Sequence, residues 1–216
     1  APIGERMTIL TNGGGVGMLA ADAAAAHQVP LAEPGQALIS ALDAVLPANW
    51  SRGNPVDIIG DAPAQRYVDA LAALARHPRD SGTILFIQAP TAIVPSTDIA
   101  RALLPAIRPE GGTPLPLVSC WVGGPAVAEA RQLFIEAGIA SYDMPEQAVA
   151  AIAMLQAYAR NQAELAEAPP AEQLHNGSTP DVARVRALVQ AVLASGRDML
   201  TEPEAKAVCE AYHIPV

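Results

Sequence analysis

The stretch "RMTILTNGGGVGMLAADAAA" (residues 6–25) runs from a short apolar segment, through four glycines in five residues, into an alanine-rich sequence. The apolar segment has the composition of a buried strand, and the alanine-rich part has that of a helix. Each glycine costs about 0.5–1 kcal/mol against alanine inside a regular element, so some local requirement must justify them. Strand, glycine loop and helix in this order are typical of the first unit of an open parallel α/β sheet.

The rest of the chain repeats this alternation of apolar strands and amphipathic helices. We predict strands at residues 6–10, 29–33, 82–89, 114–121 and 139–144. We predict helices at residues 16–28, 34–47, 63–76, 96–107, 124–138 and 146–161. Continuous apolar strands imply that helices cover both faces of the sheet. The expected fold class is therefore α/β, with a flavodoxin-like, doubly wound, parallel five-stranded sheet over residues 1–160 and helices on both faces.

Polar residues and glycines mark several helix ends. Asp61 is a suitable N-cap with Pro63 just inside the following helix, and Ser96 or Thr97 can cap the next one. Gly138 is suited to the C-terminal end of the helix that precedes it. These positions set the expected helix boundaries.

The character of the chain changes after Asn161. Residues 161–180 are polar and rich in Ala, Pro and Glu, which predicts a linker. Helices are expected over residues 181–196 and 201–214, the second opened by Thr201 with Glu204 three residues later. We interpret residues 181–216 as a C-terminal helical extension, the start of a truncated further domain. The sequence begins "APIGER" without methionine, and we expect an excised or processed chain.

The overall composition excludes several classes of function. The 216 residues carry a net charge of -9, which argues against a nucleic-acid partner because phosphate backbones need basic surfaces. Apolar runs are too short for a membrane span, and the first residues do not show the basic, apolar, small-residue pattern of a signal peptide. Lys206 is the only lysine, so the glycine loop is not a P-loop. Two distant cysteines, Cys120 and Cys209, fit a reduced cytoplasmic protein.

The glycine loop is predicted to bind an anion. It places backbone N–H groups and the positive end of a helix dipole at the carboxyl edge of the sheet, where open α/β sheets bind ligands. The predicted phosphate-binding residues are Asn12, Gly13, Gly14, Gly15, Val16 and Gly17. The structural alternative is a tight turn whose glycines merely supply positive φ.

A nucleotide-binding domain is an alternative reading of the same loop. Gly15, Gly17 and Ala20 satisfy the loose G-x-G-x-x-G/A dinucleotide pattern, with Glu33 downstream as a possible ribose-binding acid. No second nucleotide-binding half is visible, which weakens NAD. FMN is weaker still, because few aromatic residues are available to hold a flavin.

Four stretches in fixed order resemble one family, the NDP-forming acyl-CoA synthetases, which include ADP-forming acetate–CoA ligases and are relatives of succinyl-CoA synthetase. The loop "TNGGGVGMLAADA" (11–23) is similar to the family's loop, with Gly13 replacing alanine and Val16 replacing proline. Three further stretches also resemble it: "NPVDIIGDAPAQRYVDAL" (54–71), "VSCWVGGPAVAEARQLFIEAGIASYDMPEQAVAAIAML" (118–155) and "LTEPEAKAVCEAYHIPV" (200–216). The last looks like the start of an ATP-grasp domain.

The resemblance implies synthesis of an acyl-CoA from a carboxylic acid, CoA and ATP, through an acyl phosphate and a phosphohistidine. It implies that this domain contributes one of two helix N-termini that cradle the phosphoryl group. CoA-binding, phosphohistidine and ATP-grasp domains would be partners, in the same chain or in a separate subunit. ATP or ADP, magnesium and CoA are expected for the full enzyme. A non-catalytic, synthetase-like part of a protein acetyltransferase is an alternative.

No catalytic residue is expected in this chain, which should be inactive alone. The histidines lack the glycine-flanked motif of a phosphohistidine and are interpreted as surface or capping residues: His27, His77, His175 and His213. Cys120 has no histidine placed to activate it. No metal site is predicted, since the acidic residues are not paired at metal-ligand spacing.

Four further residues are candidates for lining the site. Asn54 and Asp57, in Asn-Pro-Val-Asp, either orient the glycine loop or an incoming histidine, or form a rigid turn with a capping carboxylate. Gly123 and Gly124 follow a strand at the same sheet edge. They either line the site or form a strand-to-helix turn that requires glycine.

Overall fold

The computed structural model describes residues 4–108, 111, 113–166 and 179–216. The strands are β1 (Met7–Thr11), β2 (Val56–Asp57), β3 (Thr83–Gln88), β4 (Leu117–Trp121) and β5 (Ser141–Tyr142). All neighbouring strands pair in parallel, in the order β2-β1-β3-β4-β5. This is the flavodoxin-like order, which confirms the predicted fold class.

Helices follow the strands as the alternation predicts. Within the described residues they are α1 (Gly14–Ala26), α2 (Gln36–Asp43), α3 (Ala64–Arg76), the single turn α4 (Pro78–Ser81), α5 (Ser96–Ile107), α6 (Ala128–Glu136), α7 (Pro145–Ala166), α8 (Val182–Ala194) and α9 (Glu202–Ala211). A turn of 3-10 helix, Gly124–Val127, precedes α6. None of these helices is long and apolar enough to cross a membrane.

The sheet separates two hydrophobic clusters of different character. On one face, Phe86 of β3 lies at the centre of an aromatic group, with ring centroids 6.1 Å from Tyr67, 5.3 Å from Trp121 and 6.2 Å from Phe134. On the other face, α1 packs mainly through alanine, so its backbone lies close to the strands. Successive residues of a strand point to opposite faces and so belong alternately to the two clusters, as expected for a sheet buried on both faces.

The predicted strand at residues 29–33 is wrong. Leu31 makes only an isolated bridge with Met7, and the second strand of the sheet is Val56–Asp57. Met7 donates its N–H to the Pro30 carbonyl and accepts the N–H of Ala32, which are the two bonds of this single bridge. Pro30 itself has no N–H with which to extend a ladder.

The edge of β1 between these two segments is completed by a side chain. Asn54 Oδ1 accepts the N–H of Ile9 at 2.9 Å, and Nδ2 donates to the carbonyls of Met7 and Ala32 at 2.8 and 2.9 Å. The Asn54 side-chain amide therefore makes the hydrogen bonds that the backbone of a strand residue would make at this edge. The chain enters β2 two residues later.

Several predicted helix ends also shift. Asp61 is not an N-cap, since α3 begins after Pro63 and the Asp61 carboxylate instead accepts from Arg66 at 2.5 Å. Pro95 precedes α5, which places Ser96 inside the helix. Gly138 has φ +70° two residues after the end of α6, as predicted for a glycine that closes a helix. Helix α7 extends to Ala166, so the first residues of the predicted linker are helical.

Contacts divide the chain into two compact units, residues 1–164 and 165–216. In the second unit Asp181 caps α8 by accepting the N–H of Arg184 at 2.9 Å. The predicted pairing at α9 is present, because Glu204 accepts the N–H of Thr201 at 2.8 Å. Hydrogen bonds from Arg197 and Thr201 lower the pKa of Glu204 to about 2. That this unit begins an ATP-grasp domain stays a prediction.

Replacing Phe86 by alanine should lower the free energy of unfolding by about 3–5 kcal/mol, because the ring is fully buried among three other rings. Urea unfolding followed by circular dichroism measures the change. Ile93→Ala is the control, since Ile93 is 61% exposed and its loss should change stability by no more than about 0.5 kcal/mol. A loss below about 1 kcal/mol for Phe86→Ala would contradict this packing.

Candidate functional site

The glycine loop lies where the sheet changes its direction of winding. Strands β1 and β3 are neighbours, and the chain leaves them toward helices on opposite faces. In this strand order the gap between β1 and β3 is the position at which open α/β sheets bind ligands. The two loops that border it follow Thr11 and Gln88.

The Asn12 side chain joins these two loops. Its Oδ1 accepts the N–H of Ala89 at 2.9 Å, and its Nδ2 donates to the carbonyl of Ala89 at 2.8 Å. Asn12 is 3% exposed, so these bonds are shielded from water. Thr11 Oγ1 also accepts the N–H of Gly13 at 3.1 Å. Asn12 therefore fixes the position of the loop, and its side-chain groups are already used within the protein.

Helix α1 starts with unoccupied donors. Gly13 precedes it in an extended conformation, no side chain caps it, and its first turn holds no acidic residue. The first N–H of α1 that makes a helical hydrogen bond is that of Gly17, which donates to the Gly13 carbonyl at 3.1 Å. Among the described residues, the N–H groups of Gly14, Gly15 and Val16 have no acceptor. Three donors and the positive helix end thus face the same place.

Backbone conformation does not explain the glycines of this loop. None of Gly13, Gly14, Gly15 and Gly17 has positive φ, so the tight-turn alternative fails here. Gly17 is explained by packing, because a Cβ would lie 3.0 Å from Thr11 Cγ2 and 3.3 Å from Pro55 Cβ. A Cβ on Gly15 would meet nothing within 4 Å. Gly15 is therefore required by neither the conformation nor the packing of the chain.

Asp57 places a carboxylate beside the start of α1. It ends β2, and its Oδ1 accepts the N–H of Ile59 at 2.9 Å. Its Oδ2 lies 3.1 Å from the position that a Cβ on Gly14 would take. A negative charge at a helix N-terminus stabilises the helix by about 0.3–1 kcal/mol. The structure thus places Asp57 beside the glycine loop, whereas the side chain of Asn54 is hydrogen-bonded to the backbone at the edge of β1.

Gly123 and Gly124 form a turn that needs glycine. Their φ angles are +134° and +56°, and a Cβ on Gly123 would lie 2.7 Å from Pro90 Cγ. The turn connects β4 to the 3-10 helix, on the far side of the β3 loop from the glycine loop. Strain and packing account for both glycines without a ligand.

Cys120 is buried, and His27 and His77 lie at the ends of helices. Burial raises the pKa of the Cys120 thiol to about 12, with Asp143 and Glu146 acting in the same direction, so the thiol stays protonated. The Nδ1 atom of His77 lies 3.0 Å from the Ala73 carbonyl, and His27 follows the end of α1. His175 lies outside the described residues. Within the described residues no group of three potential metal ligands occurs.

Gln88 and Ala89, which the structure places against the glycine loop, belong to no recognisable sequence motif. Asn12 and Ala89 are 77 residues apart, and no spacing rule links them. The available signal is a polar residue, Gln88, directly after four consecutive apolar residues of a buried strand.

Residues 7–166 match the Ligase-CoA domain family. The chain is 32% identical to the acetate–CoA ligase [ADP-forming] I of Archaeoglobus fulgidus over 212 residues, which are 97% of this chain and 28% of that protein. It is 34% identical to the alpha subunit of acetate–CoA ligase [ADP-forming] I of Pyrococcus furiosus over 161 residues, 71% of this chain and 33% of that subunit.

A solved structure resembles the chain as well. This is the dinucleotide-forming acetyl-coenzyme A synthetase 1 of Ca. Korarchaeum cryptofilum, in complex with phosphate and ADP, at a TM-score of 0.70 and 34% identity. The match covers 78% of this chain and 36% of that one. The chain thus spans between about a quarter and just over a third of the length of these relatives.

Gly15 and Gly17 should respond oppositely to an added side chain. Gly15→Ala should raise the free energy of unfolding by about 0.4–1 kcal/mol, since alanine fits the space and restricts the unfolded chain. Gly17→Val should lower it by about 1–3 kcal/mol through overpacking against Thr11 and Pro55. Urea unfolding of both variants checks this. Equal destabilisation by the two substitutions would contradict the distinction.

Proposed function

Because the chain belongs to the Ligase-CoA domain family, we propose that its glycine loop holds the phosphoryl group while an acyl-CoA synthetase makes acyl-CoA. The overall reaction converts a carboxylic acid, CoA and ATP to acyl-CoA, ADP and phosphate. The acid's carboxylate accepts the phosphoryl group as the N–P bond of a phosphohistidine breaks, and the CoA thiol then displaces phosphate from the acyl phosphate. Relatives named as ADP-forming acetate–CoA ligases support this activity.

The observation that carries the proposal is the absence of a side chain at Gly15, beside three N–H groups without acceptors. Neither backbone conformation nor packing requires glycine there. Hydrogen bonds from N–H groups to a charged acceptor contribute about 1.5–3 kcal/mol each, more than bonds between neutral groups. A side chain on Gly15 would stand in the path of an anion that approaches these donors. Val16 adds a third N–H at the place where the resembled family loop has proline, which has none.

Asp57 is the residue we propose to face the incoming phosphohistidine. Its Oδ2 lies beside Gly14, while Oδ1 is already engaged by Ile59. A carboxylate at this place can accept the N–H of an imidazole, which turns the other ring nitrogen toward the phosphoryl group. The Asp57 carboxylate would then hold the ring while the three amides hold the transferred group.

Partner domains complete the enzyme in this proposal. The CoA-binding and phosphohistidine domains and an ATP-grasp domain would supply CoA, the histidine, ATP and magnesium, in the same chain or in a separate subunit. Relatives named as alpha subunits support a division of such enzymes between chains, and a relative named as a ligase that aligns over 97% of this chain supports a single-chain arrangement. Alone, the chain is expected to bind phosphate without turnover.

The dinucleotide alternative is less well supported by the geometry. In that pattern the second glycine lets the backbone approach a pyrophosphate. Here the second glycine, Gly17, is buried against Thr11 and Pro55, so it cannot face a ligand. The alternative of a non-catalytic, acetyltransferase-linked domain differs in one respect, since it requires no phosphate binding.

Gly15→Val should weaken phosphate binding at least tenfold, because the isopropyl group would cover the donors of Gly14, Gly15 and Val16. An amide NMR titration of the whole 216-residue chain with inorganic phosphate, then separately with NAD and FMN, measures this. Ala26→Val is the matched control, at the exposed far end of the same helix. Phosphate binding that survives Gly15→Val would refute the proposed cradle, and saturation by NAD or FMN alone would favour the nucleotide alternative.

Asp57→Asn should tighten the binding of free phosphate about three- to tenfold, since unit charges about 4 Å apart repel by about 1 kcal/mol or more. Asparagine keeps the oxygen that accepts the N–H of Ile59, so the loop should retain its shape. The same titration provides the dissociation constants. Asp61→Asn, at the exposed pair with Arg66, is the control and should have no effect. Unchanged affinity in Asp57→Asn would place the phosphate elsewhere.

A further inference from the structure

Gln88 is a buried polar residue whose presence packing does not explain. It ends β3, is fully buried, and follows five residues of which four are apolar. On its face of the strand the alternate residues Ile84 and Phe86 belong to the hydrophobic cluster. Burying an amide without partners costs about 1–3 kcal/mol, so a side chain such as methionine would fill this space at a lower cost.

Every polar group of the Gln88 side chain has a partner. Nε2 donates to the Ala89 carbonyl at 3.0 Å, and Oε1 accepts from the Ser96 hydroxyl at 3.1 Å. Burial raises the pKa of the Tyr67 phenol to about 12, and hydrogen bonding to the Gln88 side chain acts in the opposite direction. Tyr67 lies in the first turn of α3, and Ser96 is the first residue of α5. Gln88 therefore ties two helix starts to the end of the central strand.

The Ala89 carbonyl connects this group to the glycine loop. It accepts from Gln88 Nε2 and also from Asn12 Nδ2, the latter at 2.8 Å. The Ala89 N–H in turn donates to Asn12 Oδ1. Gly13 follows Asn12 directly, and a Cβ on Gly13 would lie 3.7 Å from Ala89 Cβ. A continuous series of buried and partly buried hydrogen bonds thus runs from Ser96 through Gln88, Ala89 and Asn12 to the start of α1.

We propose that Gln88 is a positioning residue of the phosphate cradle: it holds the Ala89 peptide in the orientation that Asn12 needs to aim the N–H groups of Gly14, Gly15 and Val16. The inference rests on the proposed function, because it assigns a role in that same site. It explains why an amide, a donor and an acceptor together, stands at this position. Hydrogen bonds weaken steeply as their angle closes, so a small rotation of the loop lowers phosphate affinity.

The test compares Gln88→Met with Thr83→Val in the whole chain. Methionine keeps length and volume but removes the amide, and Thr83 is the buried hydroxyl residue at the opposite end of the same strand, bonded to Gly4. In Gln88→Met the phosphate dissociation constant should rise about three- to tenfold, by amide NMR titration. The side-chain NH2 signals of Asn12 should also shift and exchange faster with water. Thr83→Val should change neither measurement.

The possible outcomes separate the inference from the function on which it rests. Phosphate binding by wild type with an unchanged dissociation constant in Gln88→Met overturns the positioning role alone. Absence of phosphate binding by wild type overturns the proposed function and the positioning role with it. If Gln88→Met does not fold, Ser96→Ala replaces it, since it removes only the 3.1 Å bond to Oε1. It should raise the dissociation constant at least twofold, and an unchanged value overturns the proposal.

Discussion

The parallel pairing of β1 with β3 is the constraint on which the rest of the structure depends. Their register, from Met7 opposite Thr83 to Thr11 opposite Ile87, brings the ends of both strands to one edge. Asn12 prolongs that pairing by two side-chain bonds to Ala89 beyond the last ladder residues. The chain then enters α1 without a cap. The three free N–H groups, which lie in the first turn of α1, are therefore held in position by the sheet.

The uncapped start of α1 lowers the stability of the fold, and packing in the core offsets this loss. A side-chain cap at the start of α1 would stabilise the helix by about 0.5–2 kcal/mol, and alanine at Gly15 would add to it. The compensation lies in the core, where alanines let α1 approach the sheet and four aromatic rings contact one another on the opposite face. Residues that break a local stability rule without a structural reason are expected at functional or strained sites.

What the sequence could predict depended on whether a feature was local. The long apolar strands, the helices between them and the glycine loop were predictable because each carries its own periodicity or composition. The strand Val56–Asp57 has two residues and no periodicity, whereas residues 29–33 look extended but form one bridge. Asn54 determines which of the two segments forms the strand, because its side chain is hydrogen-bonded to residues 22, 45 and 47 positions away. The same holds for Gln88 and Ala89, whose roles arise only from the packed sheet.

The position of Asp57 beside an anion cradle has a functional reason within the proposed mechanism. A group that is transferred must be released again, so a cradle that bound free phosphate very tightly would slow its own turnover. Only interactions stronger in the transition state than in the ground state accelerate a reaction. The carboxylate opposes phosphate alone but attracts an imidazole N–H that arrives with the phosphoryl group. In the proposed mechanism Asp57 would thereby favour the loaded histidine over the free ion. The same charge stabilises the uncapped start of α1.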